Sequence, residues 1–120
     1  MIAPNARIRR HWDRLSQHGC MVTGLTHDVT IHHCHGGSMR ERGFTRTFGR
    51  KTSDWLVIPL CARLHVGPYG IDGFPRPSVE EWEARHGKQA DYLDRIVELF
   101  NVDVWKLARA EERGMAPRAA

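Results

Sequence analysis

Residues 29–37, VTIHHCHGG, constrain this chain more than any other stretch. Val29 to His32 reads as a short β-strand, and His32, His33, Cys34 and His35 follow one another before Gly36-Gly37. Adjacent residues on a regular strand face opposite sides. His32 and His33 can therefore share one site only if the strand ends or twists there, which the glycines permit. The stretch predicts a strand terminus carrying groups suited to proton transfer and metal ligation. A pair of surface histidines is the plainer alternative.

The flanking sequence predicts a small, mixed domain. With 120 residues, 41% apolar, and a mean hydropathy of −0.50, the chain supports one modest core over residues 1–115 and a flexible tail at 116–120. ARIRRHWDRLSQHG spaces Ile8, Trp12 and Leu15 for a basic helix ending at Gly19. CMVTGLTHDVTIHH predicts two short strands around a tight turn at Gly24. Residues 36–53 read as a long loop, WLVIPLC as a second apolar strand, and ARLH as one helical turn at most. Ser78 and Glu81 form a capping box that opens a helix over Val79 to His86, stopped by Gly87. Residues 88–100 place Tyr92, Leu93, Ile96, Val97 and Phe100 on one helical face, a core stripe or a dimer face, and a last helix spans Val104 to Arg113.

Charge and cysteine usage narrow the chemistry. Eighteen Lys and Arg against fourteen Asp and Glu leave a formal +4 and a pI near 9.3, which favours a polyanionic partner. No apolar run approaches membrane-spanning length and no signal-peptide pattern is present, so the expectation is a soluble, cytoplasmic protein without a membrane partner. Three cysteines, Cys20, Cys34 and Cys61, argue against a disulfide framework. They read either as unrelated buried thiols or, beside eight histidines, as metal ligands.

In order, the chain offers a strand with TIHH (30–33), a long loop, a strand, and IPLCARLH (58–65). This set resembles the ββα-metal, or HNH, nuclease finger. The wider pattern VTG, VTIHHCHGG, GRKTSDWLVIPLC, GIDG and WEARHGKQ is similar to the phage Ref-type recombination-enhancement nucleases, over roughly residues 20–95. The resemblance implies an α+β fold: a small HNH, treble-clef-like finger over about residues 20–72, with surrounding helices that include C-terminal ones over about 78–113. It implies His33 as the general base, and His32 and His65 as ligands of a catalytic Mg²⁺ or Mn²⁺, with Zn²⁺ also acceptable to a histidine-rich site. It further implies a DNA endonuclease of low sequence specificity, nicking or cutting, in phage or prophage DNA recombination or processing. The setting would be the bacterial host cytoplasm, with a recombinase filament as a further partner.

The sequence departs from that pattern in three places. Thr23 and Leu64 stand where second cysteines of two zinc knuckles would be, leaving Cys20 and Cys61. A structural zinc needs four ligands, so Cys34, His35, His18 or His27 would have to complete it. The usual Asn before LC is absent, and Asp54 is the nearest polar residue to orient His33, or to serve as a cap. Gly67-Pro68 truncates the helix after Cys61, and Asp72 in GIDG falls where relatives often carry a histidine; it is either a metal ligand or a turn residue.

Arg40, Arg42, Arg46, Arg50 and Lys51, against Glu41 alone, make the loop strongly basic, with Phe44 and Phe48 interleaved. Beside a nuclease site such a loop would contact DNA phosphates, with at least one phenylalanine anchoring it to the core. The rival function is a catalytically silent, zinc-stabilised DNA-binding module; a second is a zinc-stapled interaction domain.

Overall fold

Ile8, His11 and Leu15 recur at three- and four-residue intervals, and helix α1 (Ala6–His18) buries that face. A computed structural model describes residues 6–45 and 52–115, apart from the side chains of 114 and 115. After α1 come β1 (Val29–His33), α2 (Ser38–Glu41), β2 (Val57–Cys61), α3 (Ala62–His65), α4 (Val79–His86), α5 (Gln89–Phe100) and α6 (Val104–Met115). The described residues form a small α+β architecture with one antiparallel strand pair. Val29 lies opposite Cys61, His32 opposite Ile58 and His33 opposite Val57.

A strand pair cannot stand alone in water, and here helices cover it. α1 packs on both strands, α5 on β2, and α3 turns back against both strands. Every residue of β2 is buried, as its unbroken apolar run VIPLC requires. Leu93 and Ile96 of α5 are fully buried, so the stripe on that helix serves the core. Trp82 is buried too, its indole N–H donating to the Leu64 carbonyl (3.1 Å). The capping box forms as expected, with Ser78 Oγ accepting from the Glu81 N–H at 3.1 Å. No helix among the described residues is long and apolar enough to cross a membrane.

Two local expectations change. No strand forms before Gly24: the Cys20 N–H donates to the Leu25 carbonyl (2.8 Å) and the Gly24 N–H to the Cys20 carbonyl (2.8 Å), folding 20–25 into a turn. That turn is pinned to the sheet by Met21 N–H donating to the Pro59 carbonyl (3.0 Å). Within the long loop the short helix α2 forms, because Met39 fills the core. Gly37, at φ 46°, precedes it, and a Cβ there would overlap the Glu83 carboxylate.

His11 is 3% exposed, between the rings of Trp55 (5.4 Å) and Phe100 (6.5 Å). Neither ring nitrogen has a hydrogen-bond partner among the described residues. Burial, with Arg14 nearby, lowers its pKa from 6.5 to about 4. The unfolded chain takes up this proton near pH 6.5 and the folded chain only near 4. Stability is therefore full above about pH 6.5 and falls on acidification towards pH 4, by up to about 3 kcal/mol. Calorimetric scans from about pH 7 to 4.5 should show a falling Tm. His11→Leu should flatten that slope and stabilise the protein by about 1–2 kcal/mol at neutral pH, since two unpaired buried nitrogens are removed.

Candidate metal centre

The short α3 and the loop after it set the site's geometry. Ile71 is buried, and its N–H donates to the Leu64 carbonyl (2.9 Å). The next N–H, of Asp72, donates to the His65 carbonyl (2.8 Å). The loop therefore doubles back on α3 and presents Asp72 to His65. A side chain at Gly73 would collide with the Gly67 carbonyl, so the tight return depends on glycine there.

Three imidazoles converge on this carboxylate. His32 Nδ1 lies 3.1 Å from Asp72 Oδ2, His65 Nε2 lies 3.2 Å from the same oxygen, and His35 Nε2 lies 2.8 Å from Oδ1. The ring centroids of His32 and His65 are 4.9 Å apart. One ligand atom each from His32, His35 and Asp72 falls within 4.8 Å of the others. Burial opposes the Asp72 charge, and N–H donation from the imidazoles of His32, His35 and His65 would outweigh it and hold the carboxyl well below its ordinary pKa. His32 has no exposure, and that burial lowers its pKa despite its bonds to Asp72 and Gln89. A mixed nitrogen and oxygen donor set of this kind suits a divalent cation.

His33, the neighbouring strand residue, has a different partner. Its Nε2 lies 2.8 Å from Asp54 Oδ1 and its ring meets Trp12 edge-on at 5.6 Å. The Trp12 indole N–H donates to the Asp54 carbonyl oxygen (2.9 Å), so α1 steadies the residue that holds His33. The base and ligand expected side by side at the strand end thus have separate partners, Asp72 for His32 and Asp54 for His33.

The remaining candidates divide. His35 belongs with His32 and Asp72, not with the cysteines. Cys34 is fully buried and its thiol pKa is pushed well up, chiefly by that burial. Cys20 and Cys61 are free, buried thiols, and the Cys20 sulfur accepts from the Thr23 N–H (3.4 Å). Neither joins a group of three or more metal-ligating side chains among the described residues, so the expected four-ligand zinc site is not assembled there. His18 instead packs edge-on to Phe100 at 5.6 Å, and His27 is exposed.

Of the basic loop, Arg46, Arg50, Lys51 and Phe48 lie outside the described residues. Arg40 is exposed and lines a cleft of about 580 Å³ with His35, Arg76 and Glu80. Arg42 is engaged internally, bonded through both terminal nitrogens to Asp94 and seated 4.8 Å over the Trp105 ring. Phe44 is buried and anchors the loop against Trp105. Thr52 Oγ1 donates to the Cys34 carbonyl (2.7 Å), so the loop returns beside the strand that bears the histidines.

Gln89, Glu83 and Thr30 were not singled out from sequence. Gln89 has no exposure and touches both His32 and His35. Only its place at the start of a helix was visible beforehand, and that carries no metal chemistry. No protein-family model, curated protein or solved structure matches this chain.

Two outcomes follow from this geometry. Saturating Mn²⁺ should raise the thermal midpoint of the wild type, by the equivalent of about 2.7 kcal/mol at a hundredfold excess over Kd, and Asp72→Ala should abolish that rise. Arg42→Ala should cost about 1 kcal/mol in denaturant unfolding, through its pair with Asp94 and its place on Trp105, while leaving the salt dependence of any DNA binding unchanged.

Proposed function

We propose that this chain is a metal-dependent DNA endonuclease of the HNH, ββα-metal type, akin to the phage Ref-type nucleases it resembles. The observation that carries the reading is the division of labour between adjacent histidines. His32 joins His35, His65 and Asp72, while His33 pairs with Asp54. The succession of β1, β2 and α3, with His32 and His65 at its two ends, supports the finger assignment.

His32, His35 and Asp72, with His65 beside them, would hold the cation. Mg²⁺ or Mn²⁺ there supplies positive charge for the non-bridging and leaving phosphate oxygens, and Zn²⁺ also suits these donors. His33 serves as general base. Asp54 takes the orienting part that an Asn commonly plays, accepting the Nε2 proton and leaving Nδ1 as the acceptor. His33 Nδ1 has no hydrogen-bond partner among the described residues, so it is free to take a proton from water. Arg40 and the basic loop neutralise flanking phosphates, which makes binding salt-sensitive and largely indifferent to sequence. The Ref-type resemblance extends the proposal to phage or prophage recombination, with a recombinase filament as partner. Structural zinc drops out of it, since Cys20 and Cys61 lack further ligands among the described residues.

A supercoiled-plasmid assay at low salt tests the reading. The wild type should nick DNA with Mg²⁺ or Mn²⁺, stop with EDTA, and slow about 100- to 10,000-fold in His33→Ala. Should neither protein cut while both bind DNA equally, the catalytically silent DNA-binding module replaces the nuclease.

A further inference from the structure

The outer partners of the site histidines determine where their protons sit. Gln89 opens α5 and is completely buried. Its amide nitrogen donates to the His35 carbonyl (2.8 Å) and to Glu83 Oε2 (3.1 Å), two atoms that only accept. Its Oε1 accepts from the His35 backbone N–H at 3.0 Å, a group that only donates. The amide therefore has one possible orientation. The same Oε1 lies 2.9 Å from His32 Nε2. An amide oxygen cannot donate, so Nε2 carries the proton, and in a neutral imidazole Nδ1 is then bare. Nδ1 is the atom that faces Asp72 Oδ2.

His65 follows the same logic in mirror image. The Thr30 hydroxyl has a single proton, and both of its contacts are hydrogen bonds only when that proton goes to the Leu60 carbonyl, 2.9 Å away, which cannot donate. Towards His65 Nδ1, 2.7 Å away, that oxygen must accept. Nδ1 thus carries the His65 proton, and the bare Nε2 faces Asp72 Oδ2. Two bare nitrogens then face one carboxylate oxygen with no proton among them, an arrangement that repels itself until a cation or a proton enters. His35 differs. Its Nδ1 has no hydrogen-bond partner among the described residues, so its Nε2 is free to donate to Asp72 Oδ1 in the metal-free protein.

We propose that Gln89 and Thr30 are positioning residues that lock His32 and His65 in opposite tautomers, aiming the unprotonated nitrogen of each ring at Asp72. This rests on the reading of the cluster as a cation site, where outer-partner hydrogen bonds commonly set ligand tautomer and basicity. Glu83 extends the chain by one link. Its Oε2 holds the Gln89 amide, so the orientation of His32 is traced to a carboxylate in α4.

The test is long-range ¹H–¹⁵N NMR of the histidine rings in the metal-free, full-length protein, at a pH of about 8, above the ordinary histidine value. The expected result is His32 protonated at Nε2 only and His65 at Nδ1 only. Thr30→Val, which keeps the β-branched shape, should release the His65 tautomer and weaken Zn²⁺ and Mn²⁺ binding by calorimetry about 10- to 100-fold; Thr30→Ser should restore both. Gln89→Met should act likewise on His32, and the wild-type spectrum and the Thr30 pair decide the matter if that buried variant does not fold. The proposal is overturned if either ring shows the other tautomer or both protons, or if Thr30→Val changes neither spectrum nor affinity. Expected tautomers without any binding of Mn²⁺ or Zn²⁺ would uphold the positioning roles and remove the cation reading.

Discussion

Glu83 is a carboxylate with 9% exposure, and burying such a charge costs several kcal/mol unless its oxygens are fully bonded. The structure meets that condition with four donors. Ser38 N–H lies 3.0 Å from Oε1, while Ser38 Oγ (2.7 Å), Gln89 N–H (2.9 Å) and the Gln89 side-chain amide (3.1 Å) reach Oε2. Burial alone would raise the Glu83 pKa; these bonds outweigh it and lower it. The Ser38 hydroxyl in turn accepts from the Ala90 N–H at 3.0 Å. One side chain thus ties α2, α4 and the start of α5 together, and its requirements explain why Gly37 has no side chain and why Gln89 points inward.

The site inherits its rigidity from that tie. Gln89, held by Glu83, grips His32 by its ring and His35 by its backbone on both sides. Strand β1 contributes Thr30, which fixes His65, and α3 with its returning loop contributes His65 and Asp72. The two carboxylates have different roles for a physical reason. Glu83 is satisfied by uncharged backbone, hydroxyl and amide donors and is closed to anything else. Asp72 remains 28% exposed at its side chain and meets only imidazole nitrogens, so it is open to a cation. A preorganised set of side chains on secondary structure, braced from behind, is what the proposed metal-assisted phosphodiester chemistry would require.

Much of this was legible in the residues. The helix-spaced apolar residues of α1 and α5, the Ser78 capping box, and the apolar run of β2 are local patterns, and local patterns report local structure. The separate partners of His32 and His33 were not legible, since the strand end was read as holding both side by side; Asp54, the polar residue nearest the missing Asn and equally readable as a cap, does pair with His33. A turn at Gly24 was legible, but the absence of a strand before it and the presence of helix α2 were not, because long-range contacts decide both: the Met21 bond to Pro59 and the burial of Met39. His35 was placed with the cysteines on residue type alone, which cannot tell a zinc ligand from a neighbour of Asp72.

The sequence by itself determined which chemical groups the chain possesses and the element each belongs to: adjacent histidines at a strand end, a histidine one turn beyond a second strand, and an aspartate in a glycine-bounded turn. Only the tertiary structure decided which of them meet. Residues 32, 35, 65, 72 and 89 are brought together by strand pairing, a doubled-back loop and a buried carboxylate. Hydrogen-bond partners determine proton positions, and partners distant in sequence become neighbours only when the core closes around them.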